Sequence, residues 1–458
     1  MNPSEDGGVR FIAGGALMGD GSGKIEFVGE WEELERELGT KKIAIRTSDG
    51  VIMPPMLDAH IHVPQNPIRG KFCEGVDGHP PEGRLIAGLN KNVFPEEARD
   101  SDPAYAANVV EQFLRDTLSQ GVVGGAAYMT VHAQAARTAL RLLPERWSVG
   151  MVLMNMNCPP YLRTDEENLD RDMRSLAGEF GARAIVTDRF AVAVDTRLRK
   201  QAVAIAKEMR LRTQTHLNEQ RAEKALVENT LYPDYDSYTD VYAEDGLLDH
   251  HCILAHCIHM KEDEWRIVRD KGASVAHCPT SNSLLGSGIM SLDEVNYWKI
   301  PYAICTDVGA SPTTSLLCEM EHFLLVHAGR NHGATASAAL QGVTLSPAKI
   351  LGLDKEMGSF RVGKKLSFIE VVHGETTMEG WSADDVILHA LLETSQQDIL
   401  DRTRTSATGY TLTQLAQQGL EEECDVKRLR DEVESSMRRL EKKVARVTIN
   451  GMEVWKRG

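Results

Sequence analysis

Residues 52–62 read IMPPMLDAHIH, an apolar stretch that ends in a His-X-His pair. The apolar run predicts a buried strand, and the pair lies at its carboxyl end. Because residues two apart in a strand point to the same side, His60 and His62 can bind one metal ion together. A His-X-His pair alone is weak evidence for a metal site, so its meaning depends on what the rest of the chain places nearby.

Short apolar runs alternate with longer amphipathic runs from Ile52 onward. This alternation predicts eight strands separated by helices, which favours a (β/α)8 barrel over an open sheet. The region also has about the length that such a barrel needs, ~250 residues. The predicted strands are Ile52–His60, Gly121–Val131, Ser148–Met156, Ala182–Phe190, Leu211–His216, Cys252–His256, Ala273–His277 and Pro301–Asp307.

Segments on both sides of the barrel predict a small β-sandwich domain. Residues 1–55, 346–381 and 444–458 contain short apolar stretches between turn signals, which is typical of strands. The barrel then occupies residues 56–345. Residues 382–443 have apolar side chains every three or four positions over much of their length, which predicts a helical insertion. This insertion either packs on the parent domain or forms a coil between two copies of the chain, so a homodimer is one alternative.

Further polar residues with metal-binding or catalytic chemistry fall at or just after the ends of later predicted strands. His216 ends the fifth strand and is followed by Glu219, His256 ends the sixth, and Asp307 ends the eighth. A barrel of this kind has its active site at these ends, so we expect the side chains to meet. A single buried histidine is usually an ordinary core residue, but this set at successive strand ends favours an active site.

The residue types at these positions indicate a metal. Imidazole and carboxylate groups suit Zn²⁺, with Fe²⁺ as the alternative. The predicted fourth strand, ARAIVTDRF, contains no lysine that could form a carbamylated bridge between two metals. The His-X-Glu and Pro-Cys-X-X-Cys pattern of cysteine-based zinc deaminases is absent from the sequence as well. We therefore expect one metal ion, bound by histidine and aspartate.

The composition argues against several other classes of protein. The chain of 458 residues has a formal charge of −16, from 51 basic and 67 acidic residues, which argues against binding nucleic acid or an anionic membrane. No apolar run is long enough to span a bilayer, and the first residues lack the apolar core of a signal peptide. The 8 cysteines follow no disulfide framework, so we expect reduced thiols and a cytoplasmic location.

Together, these motifs resemble the amidohydrolase superfamily and, within it, the guanine deaminases. The resemblance covers most of residues 50–370. It depends on the stretches LDAHIHVPQNPIRG, NKNVFPEEAR, MTVHAQA, VTDRFAVAVD, THLNEQRAE, LYPDYDSYTDVYAEDGLL, AHCPTSNSLLGSG and TDVGAS. FPEEAR, LYPDYDSYTDVY and the Pro-Gln after the His-X-His pair are the most specific of these motifs.

The resemblance implies a role for each candidate site residue. The residues that would bind the metal are His60, His62, His216 and Asp307. The residues that would hold the small-molecule purine substrate are Gln65, Arg189 and Phe190. His256 would polarise the reacting centre, Glu219 would carry protons as general acid and base, and Asp307 would also accept a proton from water. The implied reaction converts guanine and water to xanthine and ammonia.

Two departures from the family pattern affect the expected pocket. Gly88 stands where the family usually has a tryptophan shortly before the Lys-X-X-Phe-Pro motif, and an insertion-like stretch, residues 71–84, precedes it. We expect the Gly- and Pro-rich part of that stretch, Cys73–Arg84, to fill the space and close over the pocket. If it stays open, the alternative substrates are other aminoheterocycles, such as 8-oxoguanine, a pterin or an s-triazine. A non-catalytic scaffold with this fold is a further alternative, although every expected ligand and Glu219 are present.

Overall fold

The computed structural model describes residues 1–76, 81–328, 333–374, 378, 380–404 and 423–458. Its largest element is a parallel sheet of eight strands, in which each strand pairs with its neighbours in chain order. From first to eighth, the strands are Met56–His62, Val122–Tyr128, Trp147–Leu153, Ala184–Asp188, Arg212–Leu217, Cys252–His256, Ser274–His277 and Tyr302–Ile304. Most of their side chains are buried, as expected for strands that are covered on both faces. The predicted (β/α)8 barrel is confirmed.

Backbone hydrogen bonds close the barrel between its first strand and the segment that follows its eighth. The amide of Asp307 donates to the carbonyl oxygen of His60 over 3.0 Å, and the amide of His62 donates to the carbonyl oxygen of Val308 over 2.8 Å. The hydroxyl of Thr306 donates to Asp58 Oδ2 at 2.6 Å. These bonds hold the His-X-His pair beside Asp307, although about 250 residues separate them in the chain.

The prediction of one continuous first strand is wrong. Instead of Ile52–His60, the structure has Val51–Met53 and Met56–His62, which belong to different sheets. Pro54 and Pro55 lie between them, and a proline has no amide hydrogen to donate to a sheet ladder. The chain therefore leaves the small β domain and enters the barrel at these two prolines.

Four other strands end earlier than predicted, and in two of them this places a candidate site residue outside the strand. The eighth ends at Ile304 rather than at Asp307. Asp307 has a φ of 54°, in the left-handed region that a strand does not contain. The fourth strand ends at Asp188, so Arg189 and Phe190 follow it. The other predicted barrel strands overlap the observed ones, with ends that differ by a few residues.

Helices follow the barrel strands, and side chains cap several of them. Asp102 accepts from the amide of Ala104 at the start of one helix, and Asp195 accepts from the amide of Leu198 at the start of another. From Pro103 to the end of the barrel, the α-helices are Pro103–Ser119, Ala133–Leu142, Leu169–Phe180, Thr196–Met209, Arg221–Leu226, Tyr238–Glu244, Glu262–Lys271, Pro279–Leu284, Leu292–Tyr297, Leu316–His327, Ala336–Val343 and Leu345–Ile350. Helical turns between the first and second strands are Val63–Ile68, Pro81–Gly88, Leu89–Val93, Phe94–Glu97 and Ala98–Ser101.

The beginning and the end of the chain form a small β domain. Its main sheet is antiparallel, with the strand order Met452–Lys456, Val444–Ile449, Phe368–Val371 and Val51–Met53. Two further antiparallel pairs are Gly15–Gly19 with Ile25–Glu30 and Asn2–Pro3 with Val9–Arg10. The helix Trp31–Leu38 follows the first of these pairs. A bridge between Lys24 and Lys365 links that pair to the carboxyl-terminal part of the domain.

The predicted insertion, residues 382–443, contains several helices. Residues 405–422 of it lie outside the described residues. The helices that are described are Ala383–Asp385, Val386–Leu391, Gln396–Arg404 and Glu423–Leu440. Across the described parts of the chain, no helix combines the length and the apolar character that crossing a bilayer requires.

The helix Glu423–Leu440 packs on the barrel. Arg439 Nη2 donates to both carboxylate oxygens of Glu321, at 2.7 and 2.8 Å. The hydroxyl of Ser436 donates to the same carboxylate, and Val433 is buried. This helix therefore contacts the parent domain through a buried carboxylate and an apolar side chain.

Gly150 in the third strand tests the packing inside the barrel. A Cβ at this position would lie 1.6 Å from Thr187 Oγ1 and 2.9 Å from Gln214 Nε2. Thr187 cannot easily move, because its hydroxyl accepts a hydrogen bond from Gln214 at 2.8 Å. We expect Gly150→Ala to lower the free energy of unfolding by about 1–3 kcal/mol in urea titrations, through overpacking.

The matched control is Gly178, which lies in the helix Leu169–Phe180 and would have no atom within 4 Å of an added Cβ. Gly178→Ala should raise the free energy of unfolding by about 0.5–1 kcal/mol, since alanine favours a helix interior. Shifts of the same sign and size in both variants would contradict this packing.

Candidate active site

A pocket of about 410 Å³ opens at the carboxyl ends of the barrel strands. It brings together every predicted site residue except His60, which lies behind the others as a member of the metal cluster described below. The predicted residues that line it are His62, Gln65, Arg189, Phe190, His216, Glu219, His256 and Asp307. The remaining wall is apolar and consists of Phe72, Leu85, Leu89, Leu285 and Ala310.

Four side chains at the base of this pocket, three of them buried and one half-buried, form a potential metal-binding cluster. They each offer one ligand atom, and these atoms all lie within 4.8 Å of one another. The four residues are His60, His62, His216 and Asp307. Asp307 Oδ1 is 3.2 Å from the Nε2 atoms of both His60 and His62. The described residues contain no other such group of three or more histidine, cysteine and acidic side chains.

The donor set fits a divalent metal ion. Neither ring nitrogen of His60 makes a hydrogen bond, although the side chain is buried. A buried polar atom without a partner is costly, and metal coordination supplies the missing interaction. Burial lowers the pKa of His60 to about 4 and also lowers the pKa of His62 and His216, so these rings are neutral at pH 7. Neutral imidazole is the form that binds a metal.

Hydrogen bonds fix the orientation of two imidazoles. His216 Nδ1 donates to the carbonyl oxygen of Arg189 at 2.6 Å, which leaves Nε2 for the metal cluster. His256 Nδ1 donates to Asn282 Oδ1 at 2.8 Å, which leaves its Nε2 facing Glu219 Oε2 at 3.5 Å. Both imidazole rings are therefore held in a defined orientation by partners outside the metal cluster.

The aspartate of the cluster is held on its other side. Ser281 Oγ donates to Asp307 Oδ2 at 2.6 Å, while Oδ1 faces the histidines. Burial alone would raise the pKa of Asp307, but His60 and His62 beside it hold that pKa well below its usual value. The carboxylate is thus ionised at neutral pH and can bind a cation.

Glu219 and His256 form an acid–base pair next to the cluster. Burial raises the pKa of Glu219 to about 7, so a substantial fraction carries a proton at neutral pH. Burial alone would lower the pKa of His256, but the carboxylates of Glu219 and Asp307 outweigh it and raise this pKa. Ser287 Oγ donates to Glu219 Oε1 at 3.0 Å and orients the carboxyl group. A carboxyl group with such a pKa can both donate and accept a proton during turnover.

Glu97 organises the polar wall opposite the cluster. Arg189 Nη1 donates to both carboxylate oxygens of Glu97, at 2.9 and 2.6 Å, and Gln65 Nε2 donates to Oε1 at 3.0 Å. The guanidinium carbon of Arg189 also lies 5.2 Å from the ring centroid of Phe94. All these groups are buried, so one carboxylate sets the positions of both predicted purine-binding polar side chains.

Phe72 occupies the space beside Gly88. A Cβ at Gly88 would be 2.6 Å from the Phe72 ring carbons Cδ1 and Cε1. Phe72 immediately precedes the predicted filler, Cys73–Arg84, of which residues 77–80 lie outside the described residues. The aromatic side chain in this part of the wall therefore comes from position 72, one residue before the stretch that we expected to supply it.

The sequence model of the amidohydrolase family matches residues 51–390 of this chain. This range includes every candidate site residue. The chain belongs to the amidohydrolase family. Its sequence is 32% identical to the guanine deaminase of Escherichia coli (strain K12) over 396 residues, which are 84% of this chain and 88% of that protein. It is 30% identical to the guanine deaminase of Homo sapiens over 369 residues, 76% of this chain and 79% of that protein.

Solved structures give the same relationship. The fold matches that of E. coli guanine deaminase with a TM-score of 0.75 and 28% sequence identity, over 97% of this chain and 93% of that one. Among amidohydrolases, this chain is therefore similar to guanine deaminases both in sequence and in three dimensions.

Sequence reasoning missed four supporting polar side chains of this amidohydrolase site, namely Glu97, Ser281, Asn282 and Ser287. They occur in NKNVFPEEAR and AHCPTSNSLLGSG, two of the stretches that carry the resemblance, but no pattern indicated their partners. Glu97 is 92 residues from Arg189, and Ser281 is 26 residues from Asp307. The available signal was the position of Ser281 and Asn282 directly after a barrel strand, where polar residues often serve the active site.

The buried pair of Glu97 and Arg189 gives a test of this amidohydrolase pocket. Glu97→Ala should lower the free energy of unfolding by about 3–5 kcal/mol, because it leaves a buried guanidinium without its counter-ion. Glu97→Gln keeps an oxygen that can accept from Arg189 and should cost less. Urea unfolding of the purified variants measures the difference.

The control variant is Glu111→Ala, which removes an exposed ion pair with Arg115 in which the two charged atoms are 3.8 Å apart. Its effect should stay within about 1 kcal/mol. Equal unfolding midpoints for Glu97→Ala and Glu111→Ala would show that the buried pair is not held as described.

Proposed function

We propose that this chain hydrolyses guanine to xanthine and ammonia, using one bound Zn²⁺ ion, with Fe²⁺ as the alternative metal. One observation carries the proposal: a metal-binding cluster, an acid–base pair and a wall with polar hydrogen-bonding groups share one pocket. The similarity to guanine deaminases over most of the chain supports the choice of substrate.

The metal would be held by His60, His62, His216 and Asp307, whose ligand atoms are already within 4.8 Å of one another. A bound metal of this type lowers the pKa of water from ~15.7 to ~7, so that a nucleophile is present at neutral pH. The fourth barrel strand, AIVTD, supplies no lysine for a second metal, which supports a count of one.

The proton transfers are assigned to Asp307 and Glu219, and a third side chain, His256, assists at the reacting carbon. Water attacks the C2 atom of guanine, and Asp307 accepts one of its protons. Glu219 donates its proton to the adjacent ring nitrogen, then takes the proton of the new C2 hydroxyl and passes it to the departing amine, so that the C2–N2 bond breaks as the C2 carbonyl forms and ammonia leaves. The proton on Asp307 then returns to Glu219, which restores both groups. His256 is oriented by Asn282 and lies next to Glu219, where its Nε2 can polarise the reacting centre.

Three further side chains would hold the purine. Arg189 is a fixed donor because Glu97 engages its Nη1 atom from behind, and it would donate to the purine carbonyl. Gln65 has both a donor and an acceptor for a neighbouring edge of the base. Phe190 is buried in the pocket wall, and its ring would supply an apolar surface against the heterocycle.

The first test is the activity of the purified, metal-loaded protein. It should release ammonia and xanthine from guanine in equal amounts. Glu219→Gln should retain the metal, because Glu219 is not in the ligand cluster, yet lower kcat by about 10²–10⁴ through loss of the proton carrier. Ammonia release, xanthine absorbance and elemental analysis measure these quantities.

Glu228→Gln is the control, since Glu228 lies on the segment that follows Glu219 but outside the pocket. It should leave kcat unchanged. Turnover of Glu219→Gln at the wild-type rate would remove Glu219 from the mechanism. Ammonia release from 8-oxoguanine, a pterin or a triazine, but not from guanine, would overturn the proposed substrate.

A further inference from the structure

Part of the apolar wall of the substrate pocket depends on a close contact between Phe72 and Gly88. Phe72 is only 6% exposed, and it lines the pocket. A Cβ on Gly88 would be 2.6 Å from two Phe72 ring carbons and 2.7 Å from its carbonyl oxygen. Real Cβ atoms essentially never approach so closely, so the ring can occupy this place only because position 88 has no side chain.

Hydrogen bonds clamp the turn that carries Phe72 to the neighbouring helical segment. Asn92 Nδ2 donates to the carbonyl oxygens of Phe72 and Glu74, at 2.9 and 3.1 Å. Lys91 Nζ donates to the carbonyl oxygen of Gly75 at 2.5 Å. Three bonds from two adjacent side chains therefore hold the turn in the closed position, with Phe72 pointing at the pocket.

A second recess, of about 530 Å³, lies on the other side of Phe72. It shares Phe72, Leu285 and Ala310 with the substrate pocket. Its far wall comes from the helix Glu423–Leu440, which contributes the buried Val433 and the exposed Arg430 and Glu434. Phe72 thus lies between the substrate pocket and an outer recess whose floor is largely apolar.

We propose that Phe72 is the specificity-determining residue of this enzyme, because it separates the substrate pocket from the outer recess and so limits the substrate to a compact aminoheterocycle. The inference rests on the proposed deamination and deepens it. Without the ring, the pocket and the recess become one space, and the apolar floor of the recess can take an aromatic extension on the heterocycle. Arg430 and Glu434 lie at the solvent side of that space, so the extension meets apolar groups first.

The experiment compares kcat/KM of wild type and Phe72→Ala for guanine, isoxanthopterin, 7-benzylguanine and 9-benzylguanine, using ammonia release. In Phe72→Ala, kcat/KM for guanine should fall about tenfold, because a wall of the pocket is lost. Relative to guanine, kcat/KM should rise at least about tenfold for one or more of the three larger compounds, a change of about 1.4 kcal/mol in relative transition-state binding. Unchanged relative values for all three compounds would overturn the inference.

Two further variants keep the test decisive. Phe72→Leu retains part of the side-chain bulk and should change the same ratios in the same direction by a smaller factor, which provides a reading if Phe72→Ala does not fold. Val433→Ala enlarges the recess without touching the substrate pocket, so guanine kinetics should stay at the wild-type value. Failure of the wild-type protein to deaminate guanine would overturn the proposed function, whereas an active wild type with unaltered selectivity in the Phe72 variants would overturn this inference alone.

Discussion

The backbone bonds that close the barrel determine where the chemistry can occur. The amide of Asp307 donates to the carbonyl of His60, and the amide of His62 donates to the carbonyl of Val308. This register brings a carboxylate from after the last strand against two imidazoles from the first. Because the groups are buried and the rings are neutral, the cluster has one ionised carboxylate and an unsatisfied ring, and a divalent cation balances both. The acid–base pair and the polar wall can act on a substrate only because they lie next to this cluster.

Around the cluster, each group that would act on substrate is held by one that would not. Ser281 fixes Asp307, Asn282 fixes His256, and Glu97 fixes Arg189. The carbonyl oxygen of Arg189 in turn orients His216, so the polar wall and the metal cluster share a hydrogen-bonded connection. Such support matters because a catalytic group displaced by even ~1 Å loses much of its effect. Because these groups support one another, removing one partner, such as Glu97, should lower the free energy of unfolding as well as the affinity for substrate.

The barrel and the candidate residues could be predicted from the sequence because both depend on local patterns. Apolar runs mark the strands, and the residues that end those runs fall at one end of the barrel. The positions of Asp307 and Arg189 relative to their strands could not be predicted so well, since hydrogen bonds across the barrel, rather than strand propensity, set where each strand ends. Glu97 was missed because its partner Arg189 is distant in the chain. Phe72 was missed because its position depends on the absence of a side chain at Gly88. The spacing of apolar residues predicts helices and strands, but it does not predict a contact of this kind.

In the proposed mechanism, one metal ion, bound by the four clustered side chains, organises the whole site. Anomalous diffraction from crystals of the active, purified protein, recorded on both sides of the zinc and iron absorption edges, tests it most directly. The structure predicts one anomalous peak per chain, at about 2.0–2.2 Å from ligand atoms of His60, His62, His216 and Asp307. Two peaks in the pocket of each chain, or an active crystal with no peak among these four side chains, would contradict it.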